Sequence, residues 1–236
     1  MYFPKKSLVF DMACDQGVYE CDNIKTLISL IRPNTTYFDV GANIGLLSIP
    51  VLQQEPNSSV VSVEPSPNAV PFLKKTIQNS RYRDRWILVE KAAGDTMRET
   101  RFSISTPDFG AFDGIRNTDR AKMIKEIKVP MTTLNHEWEA LGKPKVSVIK
   151  IDVEGAEPDV ISGALSLIHS EKPYILVEWN ATNLAGNGYK AEFIFKIMDK
   201  IKYGVFSLPN RVRIRDLTDL IVHMQHTESF LLAPRV

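Results

Sequence analysis

Six carboxylates recur along the chain, each beside or just after a run of branched apolar residues: Asp39, Glu64, Asp152, Glu154, Glu157 and Glu178. The first belongs to Phe38-Asp39-Val40-Gly41-Ala42-Asn43-Ile44-Gly45. Gly41 and Gly45 permit a tight turn and close approach of backbone to a ligand. Asp39 puts a carboxylate where a cationic group or a hydroxyl can be held. Glu64 follows at a spacing suited to accepting hydrogen bonds from a ribose diol. A dinucleotide-binding turn would read G-x-G-x-x-G, and Asn43 stands where the second glycine gives room to a pyrophosphate. A nucleoside cofactor without phosphates needs no such room.

The second constellation is Ile149-Lys150-Ile151-Asp152-Val153-Glu154-Gly155-Ala156-Glu157. Carboxylates gathered at the end of an apolar run are costly unless they are solvated, paired or working. Glu157 has a simpler explanation as well, since it falls at a predicted helix start, where the helix dipole favours negative charge. Asp152, Glu178 and Asn180 together would make a hard oxygen site for Mg²⁺. Hydrogen bonding to neighbouring groups, or direct contact with substrate hydroxyls, is the alternative for all three.

The elements that must position these groups alternate. Tyr37 to Val40, Val60 to Val63, Trp86 to Val89, Val146 to Ile151 and Tyr174 to Val177 read as short buried strands. Ile24, Leu27, Ile28 and Ile31 fall at helical spacing, as do Val70, Leu73 and Ile77 after Ser66-Pro67-Asn68. Val160, Ile161, Ala164, Leu165 and Ile168 form another stripe, and Phe193, Ile194, Ile197, Met198 and Ile201 a further one. Strands at Val205 to Leu208 and Phe230 to Leu232 close the pattern. Pro50 is a discord, since it would kink a helix beginning at Ile44. Such alternation predicts parallel βαβ units covered by helices on both faces, with ligands beyond the carboxyl ends of the strands.

Composition narrows the partners. With 29 basic and 28 acidic residues among 236, the net charge is +1, which argues against broad neutralisation of nucleic-acid phosphates. Cys14 and Cys21 are too few for a disulfide scaffold or a four-cysteine zinc site, and read as free structural thiols. No apolar run approaches the roughly 18 residues of a membrane span. The N-terminus does not read as a signal peptide, so a cytoplasmic protein is expected. The length suits one domain over 1–236, with an N-terminal extension at 1–34 and the cofactor-binding and catalytic core at 35–236.

The motifs YFDVGANIGLLSI, VSVEPSPNAVPFLKKTIQNS, VEKAAGD, VSVIKIDVEGAEPDVISGA and PYILVEW succeed one another from about Thr36 to Trp179. In this the chain resembles FkbM-type S-adenosylmethionine-dependent methyltransferases. The resemblance implies a class I, Rossmann-like α/β fold with a doubly wound, mostly parallel seven-stranded sheet. It also implies methyl transfer to hydroxyl oxygens of sugars or polyketide-like products. By the same resemblance Asp39, Gly41, Asn43 and Gly45 would surround the methionine part of the cofactor, and Glu64, with Pro65 beside it, the ribose. Ala92 and Ala93, with Gly94-Asp95, would border the adenine. Asp152 would lie beside the sulfonium and the acceptor, with Glu154 and Glu157 close by.

A hydroxyl acceptor gains from a general base. Asp152 and Glu157 are candidates, and so is His226, which with His223 precedes the last strand; His136 and His169 fall on predicted helices away from strand ends. The irregular stretch from about Thr106 to Arg120 includes Asp108-Phe109-Gly110-Ala111-Phe112-Asp113-Gly114 and reads as an acceptor lid or an ordinary surface loop. Arg211-Val212-Arg213-Ile214-Arg215 alternates as an edge strand should. Acceptor recognition is expected from the N-terminal segment and the loops near 106–120, 180–190 and 209–227. An NAD-linked oxidoreductase and a non-catalytic nucleoside-cofactor-binding protein are the competing readings.

Overall fold

Short runs of β-branched residues make the strands, and polar or glycine turns send the chain back through helices. The computed structural model describes residues 1–5, 7–116 and 123–235. The chain begins with α1 (Leu8–Gln16) and α2 (Cys21–Leu30), then runs through β1 (Thr36–Val40), α3 (Ser48–Gln54), β2 (Ser59–Val63), α4 (Val70–Gln78) and β3 (Trp86–Val89). Next come β4 (Ala92–Ala93), β5 (Arg98–Ser105), β6 (Met123–Thr132), α5 (Leu134–Ala140) and β7 (Val146–Ile151). After these lie α6 (Glu157–Ser162), α7 (Leu165–Glu171), β8 (Tyr174–Glu178), α8 (Ala181–Gly186) and α9 (Phe193–Ile201). The chain closes with β9 (Tyr203–Ser207), β10 (Val212–Ile214), α10 (Leu217–Met224) and β11 (Ser229–Pro234).

The main sheet has the order β10-β9-β11-β8-β7-β1-β2-β3. Its β1, β2, β3, β7 and β8 pair in parallel, while β11 runs antiparallel to both β8 and β9. The order reverses at β1, with β2 on one side and β7 on the other, and a crevice opens at such a switch point. Successive residues of a strand serve opposite faces. Tyr37, Val60, Val148 and Leu176 pack with Leu27, Leu52 and Leu73 of the helices on one side. Phe38, Ile149, Ile175 and Val177 pack with Leu134, Val160, Ile168 and Ile197 on the other.

The sheet has eight strands rather than the expected seven. The additional one is β10, drawn from the alternating Arg211–Arg215 stretch, which pairs antiparallel with β9 and buries Ile214 while Val212 and Arg213 stay exposed. A separate sheet, β4-β6-β5, closes over its own cluster of Ala92, Phe102, Ile104, Val129 and Met131. Helix α3 starts at Ser48 and not at Ile44, so Pro50 sits in its first turn, where a missing N–H breaks no ladder. The stripe from Val160 to Ile168 is two helices. At the break, the Gly163 carbonyl accepts from the Asn135 amide, and a Cβ on Gly163 would stand 2.0 Å from the Gly94 carbonyl oxygen. Of the irregular stretch, Pro107–Phe112 forms a 3₁₀ turn, and residues 117–120 lie outside those described.

Candidate active site at the switch point

Beyond the carboxyl ends of β1, β2, β7 and β8 lies a cavity of about 270 Å³, partly open to solvent. The turn after β1 forms one wall. Gly41 has φ +74°, and a Cβ there would fall 1.8 Å from the Asp152 carbonyl oxygen, so the turn lies directly on the end of β7. The turn is closed upon itself and upon β2. Gly41 and Ala42 donate their amides to Val63 O, Ile44 to Asn43 Oδ1, and Gly45 to Ala42 O. Asn43 donates its amide to Glu64 Oε2 at 2.8 Å. Ser66 N donates to the other oxygen of Glu64, also at 2.8 Å. A carboxylate offers about four lone-pair sites, so Glu64 keeps acceptor capacity toward the cavity that it lines. Burial pushes its carboxyl up to about 7, against the pull of the two amides.

The floor between β1 and β7 is a charged cluster. Asp39 and Lys150 are register partners on these strands. Asp39 is fully buried and accepts from Ser48 Oγ at 2.6 Å; burial raises its carboxyl, and Lys150 and Ser48 offset part of that. The Lys150 ammonium donates to Gly41 O at 3.0 Å and stands 3.2 Å from Asp152 Oδ2 and 3.9 Å from Asp39 Oδ1. Burial alone would pull that ammonium down, and the Asp152 and Asp39 carboxylates outweigh it and push it up. Glu178, hydrogen-bonded to Asp152, is driven well above the usual carboxyl range by burial and then by the charges of Asp152 and Glu154. Glu154 Oε2 accepts from Asn183 Nδ2 at 2.9 Å.

The cavity gathers Gly41, Asn43, Glu64, Pro65, Ala92, Ala93 and Asp152 of the residues expected for the cofactor, together with Glu154 and Glu178. Asp39 lies beneath it, behind Lys150. Gly45 serves packing, because a Cβ there would meet Leu73 and Trp86 at 2.9 Å. Asp95 is exposed and pairs with Arg98 at 3.9 Å. Glu157, expected as a candidate base, is 1% exposed and away from the cavity lining. Its Oε1 accepts the amides of Val153 and Gly155, so it shapes the turn after β7. His226 is exposed and outside the lining.

Asn180 is not placed as a metal ligand. Its Oδ1 caps α8 by accepting from Thr182 N and Asn183 N, and its Nδ2 donates to Glu228. Asp152, Glu154 and Glu178 do bring carboxylate oxygens within 4.8 Å of one another. That cluster already has a cation at 3.2 Å in Lys150, and Glu178 is held toward its protonated form. The donor set therefore fits Mg²⁺ poorly.

Several lining residues escaped the sequence reading. Val9, Met12, Tyr19 and Glu20 come from α1 and the approach to α2, and Glu228 from the approach to β11. A second cavity of about 250 Å³ adjoins the first, shares Glu20, Lys150, Asp152, Glu178 and Glu228 with it, and adds Asn23 and Ser229. The stretch read as an acceptor lid or an ordinary surface loop lines the cavity with Gly110, Ala111, Phe112, Asp113 and Gly114, and is tied to the turn after β2. Asp113 accepts from Ser66 Oγ at 2.5 Å, Asn68 Nδ2 at 2.9 Å, and Ser105 N and Oγ at 2.7 Å each. Lys150 has a signal in the sequence, a lysine between Ile149 and Ile151 in a strand whose residues are all buried. The N-terminal segment was expected to contribute, but its individual residues carry no local signal, because they reach the cavity only through the tertiary fold.

A parallel sheet reversing at β1, a glycine turn after that strand and a buried acid closing the next define the Rossmann-like α/β fold of class I methyltransferases. The chain belongs to the FkbM methyltransferase family, whose model, described as the methyltransferase FkbM domain, matches residues 39–205. Among solved structures it is similar to the methyltransferase FkbM of Methylobacillus flagellatus KT, with a TM-score of 0.55 and 14% identity over 86% of this chain and 45% of that one. The chain thus spans under half the length of that relative. It is also similar to precorrin-6y C5,15-methyltransferase from Geobacter metallireducens, with a TM-score of 0.48 and 10% identity over 91% and 86% of the two chains. A TehB-like SAM-dependent methyltransferase from Corynebacterium glutamicum gives 0.48 and 12% over 95% and 91%. No curated protein matches the chain in sequence. Among the described residues, no helix is long and apolar enough to cross a membrane.

Proposed function

We propose that the protein is an S-adenosylmethionine-dependent O-methyltransferase acting on a hydroxyl of a sugar or of a glycosylated or polyketide-like product. One observation carries the cofactor reading. Every backbone amide from Gly41 to Gly45 already has a protein acceptor, so the turn offers none to a pyrophosphate, while Glu64 beside it keeps lone pairs for a ribose diol. This supports a nucleoside cofactor over NAD, and membership of the FkbM family supports methyl transfer.

Glu64 would hold the ribose hydroxyls, Pro65, Ala92 and Ala93 would flank the adenine, and Gly41 and Asn43 would line the methionine side. When bound, the cofactor supplies a methyl carbon activated by its sulfonium, so positioning supplies much of the rate. Asp152 stands where the two cavities meet. It accepts a hydrogen bond from the acceptor hydroxyl and takes its proton as the oxygen attacks, while Lys150 and Glu178 fix the orientation of its carboxylate. Glu20, Asn23, Glu228 and Ser229 in the second cavity are hydrogen-bonding groups suited to an acceptor with several hydroxyls.

Calorimetry with S-adenosylhomocysteine and with NAD tests the cofactor. Binding of NAD without a response to S-adenosylhomocysteine refutes the proposal. Labelled methyl incorporation into a panel of glycosides and polyketide alcohols then separates an enzyme from a binding protein.

A further inference from the structure

Lys150 is 4% exposed and occupies a position that an aliphatic residue would fill within the strand pattern of β7. A buried ammonium is tolerated only where its partners replace water. Here three oxygens surround its three donors. They are Gly41 O in the cofactor turn, Asp152 Oδ2 at the end of β7, and Asp39 Oδ1 on β1. The first belongs to the wall that presents the Asn43 amide to Glu64, and the second faces the junction with the second cavity. The Gly41 turn rests on the Asp152 backbone, where a Cβ would collide at 1.8 Å, so the two parts lie in direct contact. Backbone contact sets their distance but not the direction of the Asp152 side chain, which is 29% exposed.

We propose that Lys150 is a positioning residue that registers the cofactor turn against the Asp152 carboxylate through one ammonium. Its role rests on the cofactor reading above. One consequence is that cofactor affinity depends on the charge at Lys150 and not merely on the volume of its side chain. Lys150→Ala removes the propylammonium portion, and exogenous propylamine and 1-propanol are matched in shape but differ in charge.

The test is calorimetric binding of S-adenosylhomocysteine, with thermal unfolding run in parallel as a check on folding. Lys150→Ala should weaken binding about 10- to 100-fold, the loss of charge-assisted hydrogen bonds. Propylamine should restore most of it and 1-propanol should not. Binding within about twofold of the unaltered protein, or equal rescue by both additives, overturns the proposal while leaving the cofactor reading intact. Failure of the unaltered protein to bind S-adenosylhomocysteine overturns both. If Lys150→Ala does not fold, the Asp39→Asn/Lys150→Ala double variant removes the buried carboxylate together with its partner and carries the same comparison of additives.

Discussion

Asn43 and Glu64 meet in the wall of the cavity, the backbone amide of one donating at 2.8 Å to the carboxylate of the other. This bond spends on β2 an amide that a dinucleotide site would turn toward phosphate. It also fixes Glu64 with one oxygen on each of two turns, since Ser66 N holds the other. Glu64→Gln keeps the shape but replaces one acceptor oxygen by a donor. S-adenosylhomocysteine affinity should fall about tenfold or more, read by calorimetry, with unfolding temperature held or raised.

The pH dependence of stability follows from two buried acids. Burial pushes Glu64 and Glu157 from 4.5 up to about 7. Between these values the folded state binds more protons than the unfolded state. Stability from these groups is therefore fully present below about 4.5 and is lost as pH rises through about 7. Cofactor binding by Glu64 runs the other way, because its acceptor form gains as pH rises through the same window. The ligand-free protein should show a falling unfolding temperature from pH 5 to 8 while S-adenosylhomocysteine affinity increases. Glu157→Gln should lessen the first trend, to which Glu64 still contributes, and leave the second.

Asp152→Asn separates chemistry from binding. With an acceptor identified from the panel, turnover should drop roughly 10²- to 10⁴-fold, the usual contribution of a general base. S-adenosylhomocysteine affinity should change only a few-fold. Unchanged turnover would remove Asp152 from the reaction.

Metal removal should do nothing. Lys150 already sits 3.2 Å from Asp152, and Asn180 is committed to capping α8. Turnover measured with and without EDTA should agree; loss on chelation, restored by Mg²⁺, would return the three carboxylates to a metal role.

Two glycines with similar dihedrals provide a contrast. Gly41 and Gly142 have φ of +74° and +78°, but only Gly41 would drive a Cβ into backbone. Gly142→Ala should cost roughly 1–2 kcal/mol of backbone strain with cofactor affinity intact. Gly41→Ala should cost more and abolish binding, as judged by denaturant unfolding and calorimetry.

Gly41, Asn43, Glu64, Pro65, Ala92, Ala93 and Asp152 were legible as cavity residues because the determinants are local. Strand periodicity, the Gly41 turn and the acids at strand ends all follow from short stretches. Asp39 misled for a reason of alternation, since it shares a face with Tyr37 and lies beneath the turn rather than in the cavity. Glu157 and His226 were named for their chemistry, yet hydrogen bonds to Val153 and Gly155 hold the first within a turn, and the second is exposed. The eighth strand was visible as an alternating stretch, and it joins the main sheet through a local hairpin in which Val212 pairs with Ser207 and Ile214 with Val205. Tyr19, Glu20 and Glu228 carry no local mark.

The walls of the cavity thus come from two kinds of chain. Glu64, Pro65, Ala92, Ala93 and Asp152 lie inside the stretch shared with the family, whereas Val9, Met12, Tyr19, Glu20 and Glu228 lie on its flanks. A fragment cut to residues 39–205 would lose these walls, together with most of β1 and the whole of β11, which lies between β8 and β9 in the main sheet. The flanks therefore do two things at once: they wall the cavity and they complete the sheet on which the family-shared centre is built.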